Sequence, residues 1–167
     1  MIVANGSKLE ALVKMYKSGF NQNMPDEIYK WEAVKCFQDN WNLDAEDFPA
    51  MLSHSLSKTG NLLASMNNYP RRMIEKFSTL FTKSVKELFS DLFNEKLDLK
   101  ERIYNFIKSV EQIHNQWDND GKKQHYLTFN VVSTYLWLRF PEKYYIYKPS
   151  VTKKIFDELG IDIKLTS

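Results

Sequence analysis

The apolar residues of this chain recur at helical spacing, and this periodicity constrains the fold more than any other feature. The longest pattern begins after Asp98 and lasts about five turns, until the polar stretch Asp118 to Gly121 ends it. Its apolar positions are Leu99, Ile103, Phe106, Ile107, Val110, Ile113 and Trp117. An apolar stripe of this kind must be buried against other elements, so the pattern predicts one helix of a larger helical core.

Shorter patterns predict further helices before this one. Each starts at a proline or at a side chain that can cap free backbone amides. The predicted starts are Pro25 with Asp26, Asp44, Pro70, and the capping-box pair Ser84 and Glu87.

The C-terminal third of the chain is less regular. Residues 124–140 are rich in β-branched and aromatic side chains, which favours a strand, but the length of the segment favours a buried helix, and we predict a helix. Residues 144–147 could form a short strand that pairs with residues 161–165, with a helix over residues 150–159 between them. The expected fold is therefore mainly α, a single helical domain, with a small C-terminal β element and hence an α+β fold as the alternative.

Length and composition indicate one cytoplasmic domain. With 167 residues and 43% hydrophobic content, we expect a single domain over residues 1–167, in which residues 1–24 and 161–167 are peripheral. No apolar run is long enough to span a membrane, and the N-terminus lacks the order of a secretory signal, so we expect no membrane partner. The only cysteine, Cys36, predicts a buried thiol in a reducing compartment.

Catalytic motifs are missing from the sequence. The five glycines never make a phosphate-binding P-loop, and Glu111 with His114 supplies only one of the two Glu-x-x-His pairs that a di-iron bundle needs. His54 and His125 have no recognisable catalytic partner in sequence. We therefore expect no enzymatic activity and no cofactor in this chain; an enzyme acting through His114 or His125 is the weakest alternative.

Two stretches combine basic and aromatic residues. In the first, Arg71 and Arg72 lie in the first turn of the helix that starts at Pro70, where they oppose the positive end of the helix dipole. A phosphate bound there would explain both guanidinium groups. The alternative is that they pair with the acidic run of Asp39, Asp44, Glu46 and Asp47.

The second stretch is FPEKYYIYK, residues 140–148. Alternation would direct Tyr144 and Ile146 to one side and Tyr145 and Tyr147 to the other, so that one set is core. The tyrosines beside Lys143 and Lys148 are suited to a phosphate backbone or an unpaired base. The predicted nucleic-acid-binding residues are Arg71, Arg72, Lys143, Tyr144, Tyr147 and Lys148. Aromatic packing alone is the competing interpretation of this stretch.

Four segments together resemble the N-terminal region that precedes the motor in bacterial McrB-type AAA+ restriction ATPases and GTPases. They are KWEAVKCFQDNW (30–41), DFPAMLSHSLSKTGNLL (47–63), NYPRRMI (68–74) and FPEKYYIYK (140–148). The resemblance implies the N-terminal targeting module of a longer protein, whose AAA+ motor follows in the same polypeptide and works with a nuclease subunit. It also implies DNA, including modified DNA, as the partner.

Two functions follow from these features as hypotheses. The first is a non-catalytic nucleic-acid-binding module that recognises the target of a McrB-like restriction system. The second is a protein-interaction or assembly domain without nucleic-acid contact, in which the tyrosines and Trp117 or Trp137 form a protein interface and the basic residues lie at its rim.

Overall fold

The computed structural model of this chain describes residues 6–63, 69–118 and 124–161, with only the backbone of residues 20–25. These residues form eight α-helices and no strand, so the prediction of a mainly helical fold is confirmed. The helices are α1 (Gly6–Asn40), α2 (Phe48–Ser55), α3 (Gly60–Leu63), α4 (Pro70–Leu80), α5 (Thr82–Phe93), α6 (Leu99–Trp117), α7 (Phe129–Arg139) and α8 (Pro149–Leu159). Within this described part, no helix is both long enough and apolar enough to cross a bilayer.

The backbone packs into two compact units. The larger unit, Tyr29–Ile146, contains the end of α1 and helices α2 to α7. The smaller unit combines Met1–Ile28 with Tyr147–Ser167, and its described helical parts are the first part of α1 and helix α8. The predicted domain bounds, 1–167 with peripheral residues 1–24 and 161–167, stay a prediction.

Helix α7 is the central helix of the larger unit, since every residue from Val131 to Leu138 is buried. Tyr135 is fully buried and packs against Phe89 of α5 and Phe106 of α6, with ring centroids 5.2 and 6.0 Å apart. A helix that is surrounded on all sides has no polar face, which explains why its sequence shows no helical period. Its β-branched residues are tolerated because burial outweighs their weak strand preference.

Aromatic side chains fill the rest of this core. Trp41, just after α1, stacks on Phe37 at 5.0 Å and meets Phe89 and Phe93 of α5 edge-on at 5.1 and 5.3 Å. Edge-to-face pairs of this kind stabilise beyond the area they bury. The core therefore joins the end of α1 to α5, and α5 to α6 and α7.

The predicted helix starts are partly right. Helix α4 begins at Pro70, and α6 begins after Asp98, whose carboxylate accepts hydrogen bonds from the backbone N–H groups of Lys100 and Glu101. Helix α8 begins one residue before the predicted Ser150. Local signals were sufficient at these positions because a proline or a cap acts within one turn.

Four predicted starts are wrong. Helix α1 begins at Gly6 and continues through Pro25, so Pro25 and Asp26 do not open it. The cap of α2 is Asp47, whose carboxylate accepts from the Ala50 N–H, and not Asp44.

Helix α5 begins at Thr82, directly after α4, so the capping box of Ser84 and Glu87 lies inside it. Helix α7 begins at Phe129 instead of Gln124. At Pro25, Asp44 and Ser84, a residue suited to a helix start does not begin a helix, since helix bounds also depend on tertiary context.

The predicted β element does not form in the described residues. Residues 144–148 have no regular secondary structure. Residues 162–165, most of the strand expected to pair with them, lie outside the described part of the chain, as do residues 119–121 of the predicted turn. The β propensity of YYIY alone does not make a strand, because strands are stabilised by ladder hydrogen bonds to a neighbouring strand.

Candidate nucleic-acid interface

Arg71 is held within the protein. Its Nε donates to the Glu75 carboxylate one turn along α4 at 2.8 Å, and its Nη1 donates to the Ser57 carbonyl at 3.1 Å. Glu75 also accepts from the Ser53 hydroxyl, and the Arg71 and Glu75 side chains are each about a quarter exposed. Arg71 thus joins α4 to the segment after α2, and its Nε and Nη1 each donate to a partner inside the fold.

The expected pairing with the acidic run is wrong for Arg71, because its carboxylate partner is Glu75. Asp39 of that run instead pairs with Lys35, at 2.7 Å. Arg72, the neighbouring arginine, is exposed, and its guanidinium lies 5.2 Å from the centre of the Tyr69 ring.

Lys76 continues the exposed basic side of α4 one turn after Arg72. Its Nζ lies 4.4 Å from the centre of the Trp117 ring at the end of α6, and Trp117 is itself packed against Phe77 at 5.9 Å. Within residues 6–63, 69–118 and 124–161, neither Arg72 nor Lys76 forms an ion pair with a carboxylate. We call Tyr69, Arg72, Lys76 and Trp117 the basic–aromatic patch.

Among the described residues, this patch places two cations that have no carboxylate partner beside two aromatic rings. The cations can contact phosphate oxygens, and an exposed ring face can pack against a sugar or a base. Sequence reasoning found Arg72, missed Lys76, and named Trp117 only as a candidate for a protein interface. The spacing of four between Arg72 and Lys76 could have found the lysine, since residues four apart on a helix are neighbours. Nothing local indicates that Trp117, 41 residues after Lys76, would lie beneath it.

Lys143 and Tyr144 belong to a different cluster, centred on a buried arginine. Arg102 is only 3% exposed; its Nη1 donates to the Leu92 carbonyl at 2.8 Å and its Nη2 to the Tyr144 hydroxyl oxygen at 2.8 Å. The Tyr144 hydroxyl donates in turn to the Glu95 carboxylate at 3.2 Å, and the Lys143 ammonium pairs with the same carboxylate.

Glu95 and Lys143 each stabilise the charged form of the other. The Lys143 hydrogen bond lowers the pKa of the Glu95 carboxyl below its ordinary value, with smaller contributions from Tyr144 and Arg102. The same hydrogen bond raises the pKa of the Lys143 ammonium. Lys143 and Tyr144 therefore connect the turn after α7 to the loop between α5 and α6, and their hydrogen-bonding groups have protein partners.

The alternation predicted for residues 144–147 agrees with the burial of the first three residues but not with that of Tyr147, which is half-buried. Tyr144 and Ile146 pack against the core, whereas Tyr145 is 79% exposed. Tyr147 and Lys148 belong to the smaller unit, where Tyr147 is half-buried and Lys148 is the exposed residue that precedes α8. Among the described residues, no hydrogen bond or ion pair joins Lys143 or Tyr144 to Arg71 or Arg72.

Over the same described ranges, no group of three or more His, Cys, Asp or Glu side chains is arranged to hold a metal ion. Comparison of the chain with protein-family models, with characterised proteins and with solved structures finds no match.

Proposed function

We propose that this chain is a non-catalytic nucleic-acid-binding module whose contact surface is the basic–aromatic patch. The observation that carries the proposal is the pairing of each exposed cation with a ring: Arg72 over Tyr69 and Lys76 over Trp117. A ring beneath a cation orients it without neutralising its charge, so the cation remains available to a phosphate. Of the residues expected from sequence, Arg72 has the strongest support.

The other expected residues have weaker support. Arg71 and Lys143 each have a carboxylate partner, and the Tyr144 hydroxyl both donates and accepts within the protein. Breaking such pairs to bind a phosphate would offset much of the gain. Tyr147 and Lys148 remain candidates for a separate contact in the smaller unit.

Net charge predicts the strength and character of binding. The chain has a formal net charge of only +2, so its attraction to nucleic acid is local and we expect weak binding that falls steeply with salt. The resemblance to McrB-type proteins supports DNA as the partner. It also supports an AAA+ motor in the same polypeptide, which would multiply weak contacts by oligomerising.

Fluorescence anisotropy with labelled DNA tests the proposal. Duplex and single-stranded DNA, with and without modified cytosine, are titrated with the protein at low and near-physiological salt. We expect the Arg72→Ala/Lys76→Ala variant to bind more weakly, with a log–log salt slope smaller by about 2, because two phosphate contacts are lost. Arg71→Ala and the double variant Lys143→Ala/Lys148→Ala test the other expected residues.

The matched control removes two lysines elsewhere. Lys96 and Lys100 are exposed and lie near the start of α6, and Lys100 is about 25 Å along the helix from Trp117. Lys96→Ala/Lys100→Ala makes the same change in net charge, so we expect much of the affinity to remain. Equal losses in both double variants would contradict a localised patch, and no binding at low salt would refute the proposal.

A protein-interaction domain is the second candidate, and one observation favours it. Trp31 is 48% exposed although its ring packs against Trp137 of α7 at 5.9 Å, and large exposed aromatic side chains are enriched in protein interfaces. This function predicts association that changes little with salt. Sedimentation of the protein and of Trp31→Ala at low and high salt distinguishes it from nucleic-acid binding.

A further inference from the structure

A groove lies on the surface between α5 and α6, with an apolar floor and a polar rim. Its volume is about 230 Å³, which is smaller than a typical small-molecule site and suits a side chain of another protein. Leu88, Phe106 and Ile113 form the floor and belong to the buried core. The rim carries exposed carboxylate and amide side chains, among them Glu87, Asp91, Asn105, Gln112 and Gln116.

The two charged residues that line the groove are both acidic. Glu87 and Asp91 are four residues apart on α5, so they lie about 6 Å apart along the helix axis. Lys83 is 4.0 Å from Glu87, but this pair is exposed to solvent and contributes little. Asp91 has no cation partner in the described part of the chain. The groove therefore favours a partner with positive charge.

Another face of α6 carries residues of the matching kind. Lys100, Tyr104 and Lys108 follow one another at a spacing of four, which places them in one row at steps of about 6 Å. Tyr104 is 64% exposed, and both lysines are exposed. Over the described ranges, neither lysine forms an ion pair with a carboxylate. We call these three residues the lysine–tyrosine row.

The row and the groove of one chain cannot meet each other. Tyr104 of the row and Asn105 of the groove rim are neighbours on α6, and their side chains diverge by about 100° around the helix axis. The two surfaces are nevertheless complementary in charge and polarity. An exposed aromatic ring between two lysines matches an apolar floor between carboxylates and amides, so the row of a second copy can occupy the groove.

We propose that copies of this chain associate head to tail, with the lysine–tyrosine row of one copy in the groove of the next. Tyr104 packs on the groove floor, and its hydroxyl hydrogen-bonds to the amides of the rim. Lys100 and Lys108 pair with Glu87 and Asp91. The contact joins two different surfaces, so it is heterologous and repeats from copy to copy. It uses no residue of the basic–aromatic patch and does not depend on nucleic-acid binding.

Sedimentation equilibrium of the full chain tests the association. At low salt, the weight-average mass should rise above that of the monomer as the protein concentration increases to near-millimolar values. Raising the salt concentration should lower the mass again, because salt screens charge pairs at an exposed contact.

Charge reversal tests the two surfaces separately and together. Lys100→Glu/Lys108→Glu places like charges on the row and the groove, and Glu87→Lys/Asp91→Lys does the same from the other side. We expect each double variant to weaken self-association at least about tenfold. The variant with all four substitutions keeps the formal net charge of +2 and pairs the surfaces with reversed signs, so it should recover most of the association.

Matched variants control for net charge. Lys153→Glu/Lys154→Glu and Asp44→Lys/Glu46→Lys make the same changes in charge at exposed positions outside both surfaces. Each should leave the association constant within about threefold of the native value, since distant surface charges are screened. Far-UV circular dichroism and urea midpoints establish that all variants are folded.

The aromatic residue of the row is tested in the same way. Tyr104→Ala should weaken self-association at least about tenfold, because it removes the side chain that fills the groove. Tyr145→Ala removes the same side chain from another exposed position and should have little effect.

Four outcomes would overturn the proposal. The first is a monomer at every concentration at low salt. The second is equal weakening by the charge-reversal variants and their matched controls. The third is a fourfold variant that associates no better than the double variants. The fourth is association that survives both double variants but is lost in Trp31→Ala, which would assign the contact to a different surface.

Discussion

Arg102 and Tyr144 are 42 residues apart in the sequence, and Nη2 of the arginine donates a 2.8 Å hydrogen bond to the hydroxyl oxygen of the tyrosine. The guanidinium is buried, and it also donates to the Leu92 carbonyl at the end of α5. The Nε of Arg102 has no partner among the described residues. The two hydrogen bonds of the guanidinium must therefore offset the free-energy cost of burying its charge. This pair joins Tyr144, in the segment after α7, to the end of α5.

We expect Tyr144→Phe to lower the free energy of unfolding by about 1–2 kcal/mol. The substitution removes the hydroxyl that accepts from Arg102 and donates to Glu95, but it keeps the ring. Urea unfolding followed by tryptophan fluorescence measures the change. Tyr145→Phe is the matched control, because Tyr145 is 79% exposed and the loss of its hydroxyl should change stability by less than about 0.5 kcal/mol.

The Glu95 carboxyl should titrate below its ordinary pKa of 4.5, because the Lys143 hydrogen bond stabilises its charged form. A folded-state pKa below the unfolded one stabilises the protein above the unfolded value, and this contribution disappears as the pH falls through the folded value. Carbon NMR of the Glu95 carboxyl measures the midpoint. Lys143→Ala should raise the midpoint and Lys96→Ala should not; an equal effect of both would contradict the pairing.

His125 should make stability fall as the solution becomes acidic. Burial lowers its pKa below the ordinary value of 6.5, so the unfolded chain binds the proton more tightly than the folded one. The free energy of unfolding therefore decreases as the pH falls below that value. His125→Asn removes the titrating imidazole but keeps an acceptor for the Leu127 N–H. It should therefore reduce the dependence of the free energy of unfolding on pH.

The exposed His54 supplies the control for this measurement. Urea unfolding is repeated at a series of pH values on both sides of 6.5 for the native chain, His125→Asn and His54→Asn. His54→Asn makes the same substitution at an exposed position. A slope unchanged by His125→Asn would assign the acid sensitivity to another group.

Asp47→Ala should lower the free energy of unfolding by about 1 kcal/mol, because the Asp47 carboxylate caps α2 through the Ala50 N–H. Asp44→Ala removes the same charge three residues earlier, where the side chain is not the cap of α2. We expect it to cost less than about 0.5 kcal/mol. Thermal unfolding of the two variants under the same conditions compares them. An equal loss of stability in both would contradict the assignment of the α2 cap to Asp47.

Phe89→Ala should destabilise the protein by about 3–5 kcal/mol, since it leaves a cavity between α5, α6 and α7. Phe89 is fully buried against Trp41, Phe106 and Tyr135. Leu80→Ala, at a position 52% exposed, is the matched loss of an apolar side chain and should cost far less. Urea midpoints measure both, and similar losses would contradict the central position of Phe89.

The different partners of Arg71 and Arg72 could not be predicted from the local sequence. Arg71 and Arg72 are identical in type and adjacent, and the sequence offers no reason to separate them. The fold separates them: Arg71 is paired with Glu75, and the exposed Arg72 lies over the Tyr69 ring. Side chains at i and i+1 on a helix point in different directions, so their partners depend on which face is covered.

By itself, the sequence determined the helical class, the extent of α6 from Leu99 to Trp117, and the start of α4 at Pro70, because periodicity, caps and prolines act over a few residues. Only the tertiary structure decided that Tyr144 bonds Arg102, that Lys76 lies over Trp117, and that α7 is a fully buried helix. Each of these contacts joins residues from different elements. Their free energy comes from burial and pairing across the core, which no local pattern records.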